Sequence, residues 1–411
     1  MTTNAQRRSH AYLVRVFIPF ALGYFLSYLF RVVNAVIAPD LVADVDLNAA
    51  ELGLLTSAYF LTFAVFQLPL GILLDRFGPR KTEAALLLFA ALGAFVFATS
   101  STAAGLTIGR ALIGMGVSAC LMGAFKAFVL WFPRERLPLI NGLQMAAGGL
   151  GALTGTAPVE AALEVTDWRG VFEGLAIATL AAAAVIYLVV PERKTETPTS
   201  SFRGQLRGVV EVFTSPTFWC ITPWTVVCQA TFLAIQSLWA GPWMRDVAGL
   251  DRSAIASRLA LIAIAMIGGY VSLGALAAQL SNYGVRPMTV AVAGMTLFIV
   301  VQVGIVLEWT GAAIPLWLAF GFLGTTGIIP YAALSQSFPA HLAGRVITGV
   351  NLLVFLAAFA SQWVIGIIIN LWPTTPQGGY APAGYQAAFL LMLGLQTVGL
   401  IWYFISRSKA R

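Results

Sequence analysis

The stretch GILLDRFGPRK, residues 71–81, lies between two apolar runs and decides the fold of this chain. Its charges and its two glycines predict a short hairpin turn that joins two membrane-spanning helices on the cytoplasmic side. We expect Gly71 to allow close helix packing, Asp75 to cap the second helix and Gly78 to form the turn. The basic residues of the stretch are expected to stay in cytoplasmic water.

The composition is that of a membrane protein. Of the 411 residues, 59% are hydrophobic and only 10% are charged, whereas soluble domains average about 25% charged residues. The net charge of +7 would favour a nucleic-acid partner in a soluble protein, but here it reflects basic cytoplasmic loops, and we expect no such partner. The three cysteines lie in apolar runs, and no cluster of metal ligands is evident. We therefore expect neither a disulfide nor a metal or cofactor.

Twelve apolar runs are each long enough to cross a bilayer as a helix. They lie near residues 15–39, 50–73, 82–100, 105–131, 139–161, 170–190, 216–243, 256–280, 287–307, 312–336, 345–371 and 385–406. The only long polar connection divides six runs from six. The sequence therefore predicts a bundle at 1–191, a cytoplasmic linker at 192–212 and a second bundle at 213–411.

The two halves also resemble each other weakly. The stretch at 71–80 has a decayed echo at 274–286, and the Phe-Pro pair at 132–133 is repeated at 338–339. These pairs keep their order and a nearly constant offset, which indicates a parallel duplication. Most of the 24 lysine and arginine residues fall on one side of the predicted topology. The bias places both termini in the cytoplasm of a multi-pass protein of the cell (inner) membrane.

The pattern G-x-x-x-D-R-x-G-x-R-K at 71–81 resembles the loop 2–3 signature of the major facilitator superfamily. Arg110 with the following Gly114 and Gly116 resembles the superfamily's span 4 motif. The resemblance implies an all-α fold of twelve helices in two pseudo-symmetric six-helix bundles, a transporter rather than an enzyme, and rocker-switch alternating access. The residues assigned to gating or conformational change are Gly71, Asp75, Arg76, Gly78, Arg80, Arg110 and Arg134.

Arg31 lies inside the first span, where a charge is costly and marks function. Tyr24, Tyr28, Arg31 and Asn34 recur at helical spacing, so they share one polar face. We predict that this face binds an anion and that Arg31 is its counter-charge; the alternative is a structural role for Arg31. Lys126 in span 4 either assists in the binding site or snorkels to the cytoplasmic surface. This pair of cations is similar to that of facilitator branches that transport organic anions and sugar acids.

The second half contributes neutral polar groups. Amides, phenols and indole N–H groups donate hydrogen bonds to carboxylate oxygens without adding charge. The alternative is that the same groups join helices to one another. The candidate substrate-binding residues of this half are Gln236, Trp239, Tyr331, Asn351 and Gln362.

All 17 acidic residues are expected in loops or near helix ends, so none is predicted deep in a span. The nearest candidates for proton coupling are Glu160 and Glu173, although both suit solvated helix ends. A site with positive and without negative charge favours anions over cationic drugs.

The sequence therefore predicts a monomeric symporter, antiporter or facilitator of a small organic anion of the carboxylate type, embedded in the lipid bilayer. The alternative within the superfamily is an efflux exporter of drugs or metabolites. A receptor or a membrane enzyme is disfavoured, because we find neither a soluble signalling domain nor catalytic groups at membrane depth.

Overall fold

The computed structural model of the chain describes residues 12–133, 136–192, 202–339, 342–376 and 378–409. Every regular element within these ranges is a helix. In chain order the helices are α1 (Leu13–Val32), α2 (Asn34–Val45), α3 (Ala49–Thr99), α4 (Ala103–Trp131), α5 (Leu137–Thr154), α6 (Ala157–Leu163), α7 (Trp168–Val189), α8 (Phe202–Phe213), α9 (Pro216–Asp246), α10 (Arg252–Asn282), α11 (Pro287–Val306), α12 (Thr310–Gln336), α13 (Ala343–Ile369) and α14 (Pro382–Lys409).

The twelve predicted spans are present. Ten helices in the described parts of the chain are long and apolar enough to cross a membrane. One of them, α3, contains two of the predicted spans, which meet at Gly78, where the backbone leaves helical geometry. Helices α5 and α6 follow each other in the place of the predicted fifth span. The all-α, twelve-helix prediction is confirmed.

The predicted hairpin at 71–81 is corrected in its detail. The helix continues past Gly71 to a single break at Gly78, where φ is 76° and ψ is 165°. This conformation is essentially restricted to glycine, so Gly78 forms the turn as predicted. Leu70 and Leu74 are buried in an apolar cluster, and their packing keeps this part of the chain helical. A Cβ added to Gly71 would meet open space among the described residues, so the predicted close packing at Gly71 is not observed.

Local sequence signals set several helix starts. Before α3, Asn48 and Glu51 exchange backbone-to-side-chain hydrogen bonds of 3.0 Å each, which forms a capping box. Asp167 accepts a hydrogen bond from the Gly170 amide at the start of α7. Such caps satisfy amides that the helix itself leaves unpaired.

The chain forms two compact units. The first comprises Met1–Asp40 and Ala58–Thr199, and the second comprises Leu41–Ser57 and Ser200–Arg411. The predicted division at 192–212 assigns 41–57 to the first bundle, whereas this segment packs within the second unit. Gly53 shows why: a Cβ there would lie 2.9 Å from the backbone oxygen of Gln362, so the start of α3 packs directly against α13. All of α8 except its last residue, Phe213, lies within the predicted linker.

Candidate functional site: a buried arginine in the first unit

Arg31 lies in α1 with only 5% of its surface exposed. Its guanidinium carbon lies 4.3 Å from the ring centre of Tyr28, 5.7 Å from that of Phe63 and 5.9 Å from that of Tyr59. Aromatic faces attract cations such as the guanidinium of arginine. The first unit therefore holds a positive charge in an aromatic setting.

Two of the predicted neighbours of Arg31 are held in place by packing. The rings of Tyr24 and Tyr28 meet edge to face with their centres 5.1 Å apart. Tyr24 donates a weak hydrogen bond to the sulfur of Met145 on α5, 3.9 Å away. A Cβ on Gly148 would lie 2.8 Å from Tyr28 Cδ2, so the glycine lets α5 lie directly against the two rings. Both phenols are thereby fixed on the Arg31 face of α1.

Asn34, the other predicted neighbour, is fully buried at the start of α2. The chain departs from regular helix at Val33, just before it. The predicted polar face therefore spans the junction between α1 and α2 rather than one continuous helix.

Tyr59 on α3 is a residue that the sequence prediction missed. Its hydroxyl donates to the backbone oxygen of Ser27 at 3.1 Å, and its ring lies 5.2 Å from the guanidinium carbon of Arg110 as well as near Arg31. The available signal was the pair Tyr59 and Phe63, which are one helical turn apart in a span otherwise rich in aliphatic residues. The ring of Tyr59 therefore lies near both Arg31 and Arg110.

Arg110 connects helices. It is 1% exposed, and its Nη1 donates to the backbone oxygen of Phe30 on α1 at 2.7 Å. This bond joins α4 to the end of α1, next to Arg31 in sequence. The contact supports the predicted conformational role of Arg110 rather than direct substrate binding.

Lys126 is engaged with another predicted residue. Its ammonium forms an ion pair with the Asp75 carboxylate, so Asp75 binds α4 instead of capping the helix after the turn. Half-buried Lys126 is thus neither free in the site nor snorkelling to water alone. The observed contact links span 4 to the 71–81 stretch.

Two other charged residues of this stretch, Arg80 and Lys81, contact the end of α7 and the residues just after it. Arg80 Nε donates to the backbone oxygen of Tyr187 at 2.8 Å, and its guanidinium lies 3.8 Å from the Glu192 carboxylate. Lys81 forms a second ion pair with Glu192, while Arg76 is exposed beside the ring of Phe77. Arg134, the remaining gating candidate, lies outside the described residues.

In the second unit, two of the polar candidates, Trp239 and Gln362, are hydrogen-bonded to each other. Trp239 is fully buried in a π-helical turn of α9 and donates from Nε1 to the backbone oxygen of Gln362 at 3.0 Å. The Gln362 amide donates in turn to Ser237 Oγ at 3.0 Å. Gln236, in the same turn, is buried, and Tyr331 and Asn351 are half-buried. Two of the five candidates therefore join α9 to α13.

The acidic residues are arranged differently from the prediction. Glu160 is half-buried and Glu173 is exposed. Glu83, which the sequence assigns to a helix end, is fully buried in α3. No sequence signal distinguished it, because a carboxylate five residues after a turn normally reaches water.

Asp246 is a second buried acid that the sequence left at a helix end. It accepts two hydrogen bonds from Arg245, at 2.6 and 3.1 Å. It also accepts one from the Tyr385 hydroxyl at 2.7 Å and one from the Tyr380 amide at 3.0 Å. Burial raises the pKa of the neighbouring Tyr380 phenol to about 12. We call Asp246, Arg245, Tyr380 and Tyr385 the Asp246 network; it fixes the end of α9 to the start of α14.

Comparison with known proteins identifies the family. Residues 20–362 match the family model of the Major Facilitator Superfamily. The chain is 23% identical to a probable sulfoacetate transporter of Cupriavidus necator over 79% of each protein. It is 24% identical to a hexuronate transporter of Bacillus subtilis over 89% of each. The crystal structure of a bacterial homologue of the lysosomal transporter Spinster, inward-facing and occupied, superimposes with a TM-score of 0.78 at 16% identity and covers 97% of both chains. The chain therefore belongs to the Major Facilitator Superfamily and is a multi-pass membrane transporter of a small molecule, not an enzyme.

Proposed function

We propose that this chain is a secondary active or facilitative transporter of a small organic anion, with Arg31 as the counter-charge for the substrate. One observation carries the proposal: a guanidinium is 5% exposed inside a membrane helix and surrounded by aromatic rings. A charge at such depth costs at least about 2.5 kcal/mol on insertion scales, which favours a functional role. Alternating access of the family type would carry the anion across.

The chemistry of the Arg31 surroundings fits a carboxylate or a sulfonate. The planar N–H fork of arginine matches two oxygens of one anionic group. Tyr24, Tyr28 and Asn34 add hydroxyl and amide donors on the same face. Two relatives are named for sulfoacetate and for hexuronate, and both compounds carry a carboxylate. Small oxyacid anions are therefore the first substrates to test.

The remaining predicted residues take supporting roles in this proposal. Lys126 holds Asp75 and the 71–81 stretch, so we assign it to conformational control together with Arg80. Gln236, Tyr331 and Asn351 stay as candidates for neutral substrate contacts from the second unit. We further propose that the protein functions as a monomer in the cell inner membrane, with both termini in the cytoplasm, in keeping with the lysine and arginine bias.

The test is ligand-induced stabilisation of the purified full-length protein. Binding to the folded state raises its unfolding temperature. We expect sulfoacetate and glucuronate to stabilise the protein in a concentration-dependent way, and tetraphenylphosphonium to leave it unchanged. Uptake of labelled sulfoacetate or glucuronate into proteoliposomes then measures transport. Stabilisation by the cation without any response to the anions would contradict the proposal.

One observation favours the exporter as a second candidate. That hypothesis calls for an acidic group inside the protein, and Glu83 is such a group. Export of cationic compounds would make Glu83 essential and Arg31 dispensable. Resistance of cells that express Arg31→Ala and Glu83→Gln variants to cationic dyes separates the two functions.

A further inference from the structure

Glu83 occupies a space that two glycines create in the first unit. It lies in α3, five residues after the break at Gly78, and none of its surface is exposed. A Cβ on Gly23 of α1 would lie 2.5 Å from Glu83 Oε1, and a Cβ on Gly123 of α4 would lie 2.6 Å from Oε2. Any larger side chain at either position would meet the carboxyl group. Helices α1, α3 and α4 are therefore shaped around this acid.

The surroundings of Glu83 supply little to stabilise a negative charge. Neither carboxyl oxygen has a hydrogen-bond partner of ordinary geometry among the described residues. The titratable group beside it is the buried Cys120 thiol of α4. Helix α1 presents Gly23, against which Ile186 of α7 also packs.

Two cations lie on the helices that pack against Glu83. Lys126 of α4, one turn after Gly123, is paired with Asp75. Arg31 of α1 lies about two helical turns after Gly23. An unpaired ionised carboxylate in such a place costs several kcal/mol, so its surroundings favour the proton-bound form.

We propose that Glu83 is the proton-binding site of this transporter, which takes up a proton as a neutral carboxylic acid and releases it when the helices around it rearrange. The step is simple protonation of the carboxylate, and no other bond changes. Its role in coupling rests on the proposed anion transport. Gly23, which packs against Glu83, and Arg31 both lie on α1, so the two charged groups lie along the same helix. An anion bound at Arg31 adds negative charge there and favours proton binding at Glu83.

This coupling is reciprocal by thermodynamic necessity: a protonated Glu83 strengthens anion binding by the same factor. It predicts that the anion and the proton move in the same direction. One proton per singly charged anion makes the transported pair electrically neutral.

The first experiment reads the proton directly and needs no substrate. Infrared difference spectra of the purified full-length protein are recorded across a pH titration in H₂O and D₂O. We expect a carbonyl stretching band of a protonated, buried carboxyl group, absent in Glu83→Gln and shifted in Glu83→Asp. Glu164→Gln is the matched control, because it neutralises an exposed carboxylate of the same unit, and it should keep the band. A band that survives in both Glu83 variants unchanged overturns the proposal.

The second experiment measures coupling in proteoliposomes with labelled sulfoacetate and glucuronate. We expect an acidic exterior to raise uptake several-fold in the wild type and in the control variant Glu164→Gln. Glu83→Gln should still be stabilised by the anions in thermal unfolding but should lose the response to the pH gradient. A Glu83→Gln variant with wild-type gradient dependence overturns the proposal. If the Glu83-dependent band is present but neither anion has any effect, the proton site is supported and the proposed substrate class fails.

Discussion

The two units use buried polar side chains in opposite ways. In the first unit, Arg31 is surrounded by aromatic rings, and Glu83 lies against glycines and a thiol. In the second unit, Trp239 and Gln362 hydrogen-bond across α9 and α13. Gln302 and Gln396 form a reciprocal amide pair at 3.0 and 2.9 Å between α11 and α14. These buried polar groups of the second unit are thus hydrogen-bonded to one another, whereas in the first unit Arg31 lies among rings and Glu83 lies against glycines.

This difference separates sites from structural contacts. A polar group whose hydrogen bonds are made within the fold contributes to stability, and removing it lowers the free energy of unfolding. A buried charge held among rings or glycines costs free energy, and it persists where function requires it. We therefore expect substitutions in the first unit to change transport and substitutions in the second unit to change stability.

The largest expected effect is that of Arg31→Ala. Loss of a charge-assisted contact of about 2–3 kcal/mol should weaken anion binding roughly 30- to 150-fold. The unfolding free energy without ligand should change by only about 1 kcal/mol, since mainly cation–π contacts are lost. Anion-dependent thermal shifts and initial uptake rates measure the two quantities. Arg252→Ala, which removes an exposed arginine, is the control, and wild-type uptake by Arg31→Ala would remove Arg31 from the site.

Asp246→Asn tests the second unit next. The substitution leaves Arg245 without its carboxylate and weakens the bonds to Tyr380 and Tyr385. Because the Arg245 side chain is about one-third exposed, water offsets part of the loss, and we expect about 2 kcal/mol of destabilisation. Equilibrium unfolding in mixed detergent micelles measures it. A stable variant with defective anion binding would show that the network belongs to the transport site.

Gln362→Leu is expected to have a smaller effect. It removes the amide bond to Ser237 and keeps the backbone oxygen that accepts from Trp239. The cost should be about 1 kcal/mol in unfolding, with anion affinity unchanged. The same unfolding assay applies, together with ligand-induced shifts. Reduced anion affinity at unchanged stability would restore Gln362 to the substrate-binding residues that the sequence predicts.

Tyr380→Phe should have the smallest effect at neutral pH, because the Tyr380 hydroxyl has no hydrogen-bond partner among the residues described. The folded state holds the phenol proton more tightly than the unfolded chain, whose tyrosine pKa is about 10. Below pH 10 the Tyr380 phenol is protonated in both states and the free energy of unfolding of the wild type is unaffected. As the pH rises from 10 towards 12, the unfolded chain loses this proton first, so the free energy of unfolding falls. By about pH 11 we expect the free energy of unfolding of the wild type to have fallen by about 1 kcal/mol through this proton, a decrease that the variant does not show. Parallel alkaline unfolding curves for the two proteins would contradict this.

Much of the fold could be predicted from the sequence, because the bilayer constrains it so strongly. Apolar runs of sufficient length must be helices, since only internal hydrogen bonds can satisfy their backbone. The turn at Gly78 could also be predicted, because glycine is the residue that adopts turn conformations closed to other residues. The length of the turn could not be predicted: burial of Leu70 and Leu74 extends α3 through residues that read as a polar loop.

The candidate site was predictable in one part only. Arg31 could be found because a charged residue within an apolar run is evident from the sequence itself. Glu83 and Asp246 could not, because their burial depends on neighbours distant in the chain, and the signal for Tyr59 was only its spacing to Phe63. The same holds for Lys126, whose partner Asp75 lies on another helix.

The sequence by itself therefore determined the membrane class, the twelve spans, the family and the position of Arg31. Each follows from local hydropathy, helical spacing or an uninterrupted motif. The tertiary structure alone decided which polar residues meet: it pairs Lys126 with Asp75, closes Gln362 onto α9 and buries Glu83 between Gly23 and Gly123. Burial and pairing are properties of helices packed side by side, and the order of residues along one helix does not contain them.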